Sequence, residues 1–316
     1  MIRKTILTAG LCVLAVLALS ACQSAGLQPG EGFVEVTGGK VWYKIVGSGE
    51  RTPLLVLHGG PGGLSLYLKP LEALADDRPV IFYDQLGCGN SPGPSDTTLW
   101  TIERFVGEIA QVREALGLKE VHLYGHSWGT MIAADYVLTK PTGVSSLILA
   151  SPVLSVPRFV HDTDSLLSTL PDSLQEAIKH HEREGTTDSP EYQSAIMFFY
   201  EQFIARKKPW PDDLNRTFEQ MNLAMYGYMW GSSEFNATGK LSDYDRTNRL
   251  GEITTPTLLT GGEFDEITPA TVEYYHSLIP GSQMAILENC AHATMHEDPE
   301  ADIKNIRDFL AQVENK

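Results

Sequence analysis

Apolar positions follow two alternating rhythms from residue 33 onward. Leu54–Leu57, Val80–Tyr83, Val121–Tyr124 and Ser146–Ala150 are short, nearly continuous apolar runs, which predict strands buried on both faces of a parallel sheet. Between them, Leu64–Ala75 and Leu99–Leu116 carry apolar residues at helical spacing. In the second, Ile102, Phe105, Val106, Ile109, Val112 and Leu116 share one face. Phe33–Val36 and Lys40–Val46 predict an opening hairpin that turns at Gly38-Gly39. A further helix, Met131–Leu138, continues out of Gly125-His126-Ser127. Strand and helix in regular alternation predict a doubly wound α/β sheet.

The rhythm breaks at Ser151-Pro152. From there to about residue 248 the pattern is helical and aromatic-rich, as in Tyr192–Ala205 and Phe218–Trp230, with no convincing strand. Strand–helix order then resumes with Thr257–Thr260, a helix near Ala270–Leu278, Gln283–Leu287 and a last helix from Pro299 to about Val313. The expected organisation is an α/β core over residues 33–152 and 249–316, with a helical cap, residues 153–248, inserted after the sixth strand.

The first residues read differently. Arg3 and Lys4 precede an apolar stretch, Ile6–Leu19, too short to span a bilayer, and it ends in Leu19-Ser20-Ala21-Cys22. Residues 1–21 resemble the export signal of bacterial lipoproteins, with Cys22 at the acylated position. The resemblance implies a lipid-anchored, membrane-bound protein. Gln23 after the cysteine favours the outer membrane, facing the periplasm, or the cell surface. Residues 22–32 then serve as a flexible tether.

Composition narrows the rest. A chain of 316 residues, 42% hydrophobic and 20% charged, is sufficient for one large domain or one domain with an insertion, and is too apolar for disorder. The formal charge of −16, from 40 acidic and 24 basic residues, repels phosphate backbones and argues against a nucleic-acid partner. Of the four cysteines, Cys12 leaves with the signal and Cys22 would carry lipid. Cys88 and Cys290 lie near proposed site loops, and the sequence does not decide whether they pair. The cysteines show no metal-ligand spacing.

Gly125-His126-Ser127-Trp128-Gly129 is a G-x-S-x-G motif between an apolar strand and a helix, the context in which a sharp turn exposes the serine hydroxyl. A serine needs a base, itself oriented by an acid. In α/β-hydrolases these follow in the order serine, acid, histidine, from loops after late strands. Asp265, beyond the Thr257–Thr260 strand, and His292, beyond Gln283–Leu287, meet that requirement, at the carboxyl ends of strands where open α/β sheets bind ligands. His296 and Asp298 compete for these roles but belong with the start of the final helix. His58-Gly59-Gly60-Pro61-Gly62-Gly63 follows the third strand. Its glycines permit close backbone approach, so the amides of Gly60 and Trp128 are the candidate oxyanion donors. His58 and His126 are read as packing residues.

Four segments together resemble the proline iminopeptidases, α/β-hydrolase aminopeptidases to which the tricorn-interacting aminopeptidase is closely related. They are His58-Gly-Gly-Pro-Gly62, Tyr83-Asp-Gln-Leu-Gly-Cys-Gly-Asn-Ser91, Gly125–Gly129 and Gly262-Glu-Phe-Asp-Glu-Ile-Thr-Pro269. The resemblance spans about residues 33–313. It implies removal of N-terminal residues, proline in preference, from short peptides with a free N-terminus, without metal or cofactor. It also implies that Glu266 and Glu234 bind the substrate's amino group. Here Ser232-Ser233 precede Glu234 where the family often has Pro-Asn or Pro-Ser. Tyr226, Tyr228 and Trp230 are read as core or as pocket walls. The competing expectations are an esterase, lactonase or amino-acid amidase on the same scaffold, and a catalytically idle, lipid-anchored binding protein. Ser127 at the elbow disfavours epoxide hydrolases and dehalogenases, whose nucleophile is an aspartate.

Overall fold

The computed structural model describes residues 26–235 and 237–315. The expected export signal, the expected acylation position Cys22 and the first part of the expected tether lie outside the described residues. No helix among those described is long and apolar enough to cross a membrane.

Eight strands form one sheet: β1 (Gly30–Val36), β2 (Gly39–Val46), β3 (Leu54–Leu57), β4 (Val80–Tyr83), β5 (Val121–His126), β6 (Val144–Ala150), β7 (Thr257–Gly262) and β8 (Gln283–Leu287). Their order is β1-β2-β4-β3-β5-β6-β7-β8. β2 runs antiparallel to both β1 and β4, and every later pairing is parallel. The strands β3, β4 and β5 are buried at every position, which is why β3 and β4 are unbroken apolar runs rather than alternating ones. β1 begins three residues before the predicted Phe33, inside the expected tether, and Leu27 already packs against the core.

Helices cover both faces. α1 (Ile102–Ala115) places Phe105, Ile109 and Val112 on one side of the sheet, against α2 (Trp128–Leu138). On the other side, Leu68, Leu71 and Leu74 meet Ile306, Phe309 and Leu310 of the final helix. Residues Ser65–Asp76 differ from expectation, because they wind as a 3-10 helix rather than an α-helix. Pro70 lies inside this segment and cannot donate an i→i−4 bond. At three residues per turn, the fully buried Leu68, Leu71 and Leu74 stand in a single row.

The segment between β6 and β7 contains α3 (Val156–Leu167), α4 (Asp172–Glu184), α5 (Pro190–Phe203), α6 (Asp212–Gln220) and α7 (Leu223–Met229). A small core of its own forms around Ile178, Tyr192, Phe199, Phe203 and Phe235. The helix expected over Phe218–Trp230 is interrupted at Met221-Asn222. Asn222 caps α7 by accepting from the Met225 amide (3.0 Å). Its own amide donates to Gly62 O (2.8 Å) and its Nδ2 to Gly87 O (2.8 Å). One residue thus ends a helix, starts the next, and ties the cap to two glycine loops of the core. The chain closes with α8 (Pro269–Leu278), α9 (Thr294–Glu297) and α10 (Pro299–Glu314).

Candidate active site

Ser127 occupies the turn between β5 and α2, with φ 53° and ψ −123°. This left-handed backbone is costly for a non-glycine residue and is held by the surrounding structure. The turn is possible only because its flanks are glycines. A Cβ on Gly125 would lie 2.5 Å from Gly129 O, and one on Gly129 would lie 2.3 Å from Leu57 O. Ser127 stands at the N-terminus of α2, where the helix dipole favours developing negative charge.

His292 reaches this position from the loop after β8, and Asp265 from the loop after β7. His292 Nδ1 bonds Asp265 Oδ1 at 2.9 Å. Asp265 is fully buried, and its remaining acceptor sites are also filled. Oδ1 accepts from the Ile267 amide (2.9 Å), and Oδ2 from Ser151 Oγ (2.6 Å) and the Gly262 amide (3.4 Å). Ser127 and His292 line one cavity of about 630 Å³. No hydrogen bond joins them, the looser geometry common before substrate arrives.

The Gly59–Gly63 loop borders the same cavity. Among the described residues, the amides of Gly60 and Trp128 have no hydrogen-bond acceptor. His126 Nε2 must donate to His292 O (3.0 Å), since a carbonyl only accepts, so in the neutral ring Nδ1 accepts from Tyr67 Oη (2.8 Å), whose oxygen in turn accepts from the Gly59 amide (2.8 Å). Burial, followed by the nearby His292 charge, holds the His126 pKa well below its usual value, and the ring stays neutral. His58 is likewise lowered by burial. It accepts from the Gln85 amide at Nε2 (3.0 Å), and its Nδ1 bonds Gly59 O (2.8 Å). His296 lies in α9, bonded through Nε2 to Tyr67 O (2.6 Å), and Asp298 caps α10. Neither of these two lines the cavity.

Two carboxylates face Ser127. Glu266 is 3% exposed, and its Oε2 has no partner among the described residues; its Oε1 is 3.9 Å from His292 Nε2. Glu234, from the loop after α7, accepts from Tyr226 Oη at 2.6 Å and Tyr200 Oη at 3.4 Å. Burial raises the pKa of both carboxylates, and for Glu266 the charges of Glu234 and Asp265 raise it further. Burial also raises the two phenols well above their usual range, so they remain donors. A second, smaller cavity of about 250 Å³ shares Gly60, Ser127, Glu234 and Glu266 with the first. It is otherwise walled by Trp128, Met131, Val153, Phe159 and Trp230.

Cys88 and Cys290 are free, buried thiols. Cys88 Sγ contacts Met225 Sδ of the cap (3.9 Å), and burial pushes the Cys290 thiol up to about 12. Sequence reasoning did not find Ser151, Tyr67 or Tyr200. Ser151 adopts φ 47° at the point where the strand–helix rhythm breaks, and nothing local distinguishes its hydroxyl from others.

Residues 52–299 match the α/β hydrolase fold family. A proline iminopeptidase of Heyndrickxia coagulans is 50% identical over 285 residues, covering 90% of this chain and 99% of the relative. One from Saccharolobus solfataricus is 38% identical over 287 residues, covering 90% and 93%. The solved structure of proline iminopeptidase from Mycobacterium smegmatis is 33% identical with a TM-score of 0.83, covering 90% of this chain and 98% of that one. With fold, glycine loops and elbow already in place, this likeness over nine-tenths of the sequence means that the chain belongs to the proline iminopeptidase family of α/β-hydrolases.

Proposed function

We propose that the protein is a serine aminopeptidase that releases N-terminal residues, proline in preference, from short peptides through an acyl-enzyme. The observation that carries this reading is the pair Glu234 and Glu266. Two buried carboxylates with raised pKa and no lysine or arginine partner among the described residues form a site for a substrate ammonium, bound by charge-assisted hydrogen bonds. Ser127 stands at the junction of the two cavities. The N-terminal residue is assigned to the small one, whose apolar walls suit a pyrrolidine ring and whose carboxylates suit its nitrogen. The remaining peptide leaves through the larger one, which His292 lines and Trp128 does not.

In this mechanism His292 takes the proton from Ser127 as the hydroxyl attacks the prolyl carbonyl. The Gly60 and Trp128 amides stabilise the oxyanion. His292 then protonates the leaving amine on its own side of the site, and Asp265 holds the imidazole in the required tautomer. Water, activated by the same histidine, releases the amino acid.

The decisive assay compares proline, alanine and leucine amides of one chromogenic amine with an N-blocked proline amide and a short-chain ester. Preference for free-amine prolyl substrate with the blocked form inert is expected. Fast ester hydrolysis with no preference for a free amine would instead identify an esterase on this scaffold. Glu234→Gln and Glu266→Gln each remove a charged hydrogen bond to the ammonium, worth about 1.5–3 kcal/mol. The kcat/KM for prolyl amide should fall roughly 10- to 100-fold, with the ester nearly unaffected; equal losses on both substrates contradict the anchor. The same carboxylates set a pH dependence. Because their pKa values are raised, they gain protons and lose charge above the ordinary carboxylate range as pH falls. KM for the prolyl substrate should therefore rise toward acid pH, while KM for the ester should not.

We also propose that the chain is exported and anchored by lipid at Cys22. This rests on Arg3, Lys4, the apolar stretch Ile6–Leu19 and Ala21-Cys22. Cells expressing the full chain should incorporate labelled palmitate into the protein, and Cys22→Ala should abolish the label. Equal labelling of that variant would refute the anchor.

A further inference from the structure

The proposed oxyanion donors come from different parts of the chain. Gly60 belongs to the loop after β3, and Trp128 is the first residue of α2. Neither segment hydrogen-bonds the other directly through these amides, and their relative placement must be fixed to within a fraction of an ångström for both to meet one oxygen. Gln85 supplies a bridge. It lies two residues beyond β4, whose neighbour in the sheet is β3, and it is completely buried.

Every polar atom that Gln85 directs at these segments is used. Its amide N donates to His58 Nε2 (3.0 Å), its Nε2 donates to His58 O (3.0 Å), and its Oε1 accepts from Trp128 Nε1 (2.9 Å). Reversing the side-chain amide would set N–H against N–H and C=O against C=O, so a single orientation is allowed. The backbone on which it stands is fixed in turn. Asp84 Oδ1 accepts from the Ser65 amide (2.8 Å) and Oγ (2.7 Å), and Oδ2 from the Asn90 amide (2.8 Å). Gln85 lines neither cavity.

We propose that Gln85 is a positioning residue for catalysis, locking the His58–Gly60 loop and the Trp128 end of α2 into one oxyanion-binding unit. This rests on the reading of the Gly60 and Trp128 amides given above. Gln85→Leu keeps the bulk but leaves His58 O and Trp128 Nε1 unpaired. It should lower kcat roughly 10- to 100-fold, by the same factor for a p-nitrophenyl ester and a prolyl amide, because both pass through an oxyanion. KM and the inhibition constant of free proline, which reports the ammonium site, should stay within about twofold. Affinity for a prolyl boronic acid, whose tetrahedral adduct places an oxygen in the hole, should fall in step with kcat/KM.

Trp128→Phe provides a milder second test, since it removes the indole donor and keeps the backbone amide; because Trp128 also walls the small cavity, its readout is kcat for the ester rather than KM or proline affinity. That kcat should fall roughly 3- to 10-fold, and the double variant should lose less than the product of the single losses. Folding of each variant is read from circular dichroism. If Gln85→Leu does not fold, Trp128→Phe decides alone. Folded variants with unchanged kcat, or with losses confined to KM and proline affinity, overturn the proposal. The ester keeps the two readings separable. If the wild-type enzyme hydrolyses the ester through Ser127 but ignores prolyl amide, the aminopeptidase reading fails and the Gln85 test still stands.

Discussion

Ser127→Ala should lower kcat for every substrate by roughly four orders of magnitude or more while leaving the fold intact. The size follows from what the hydroxyl supplies. Without it there is no covalent path, and only oxyanion binding and substrate positioning remain to help a water attack. The stability expectation follows from the contacts. Among the described residues Ser127 Oγ makes no hydrogen bond, so its removal orphans no donor or acceptor in the elbow. The strained backbone at φ 53° is set by the glycine flanks and is shared by serine and alanine alike. The thermal midpoint should therefore move by less than the effect of about 1 kcal/mol. A fluorophosphonate probe should add to the wild-type chain at Ser127 and leave the variant unlabelled. Turnover in the variant above about a hundredth of the wild-type rate would place the nucleophile elsewhere.

The parts of this site that the sequence discloses are those fixed by local geometry. Leu54–Leu57 and Val80–Tyr83 coincide with strands to the residue, because central strands need apolar side chains on both faces, and Gln283–Leu287 coincides with the edge strand β8. Ser127 is legible because its turn demands glycine two residues away on each side. Asp265 and His292 are legible through chain order and their places after strands. Glu234 is different. Nothing in its local sequence marks it, and only likeness to a family singles it out; its two phenol partners, from α5 and α7, become visible once the cap is folded. The roles of Ser151, Tyr67 and Gln85 likewise depend on distant partners, 114, 59 and 43 residues away respectively. The 3-10 segment and the break at Asn222 show the opposite limit. There a single proline, or a single asparagine with two carbonyl partners in the core, overrides an apolar pattern that reads as continuous α-helix.

Asp265→Asn should cost about 10⁴-fold in kcat with little change in KM, although it alters a single atom. All four groups that surround the Asp265 carboxylate are donors: His292 Nδ1, the Ile267 amide, Ser151 Oγ and the Gly262 amide. An asparagine must turn its NH₂ toward one pair of them. If it faces Ser151 and Gly262, the hydroxyl can rotate to accept, but the Gly262 N–H still opposes it and the charge that stabilises the imidazolium is gone. If it faces His292, the ring must shift its proton to Nε2 in order to accept at Nδ1, and Nε2 can then no longer take the proton from Ser127. The first outcome weakens the base and the second removes it. Burial sharpens the choice, because no water competes at a fully buried aspartate. Unlike Ser127→Ala, this variant should retain slow labelling by the fluorophosphonate probe, since the nucleophile remains and only its activation is lost. Measured kcat within about tenfold of wild type would mean that Asp265 serves only to hold the loops after β7 and β8 together, and that His292 is oriented by its backbone contacts instead.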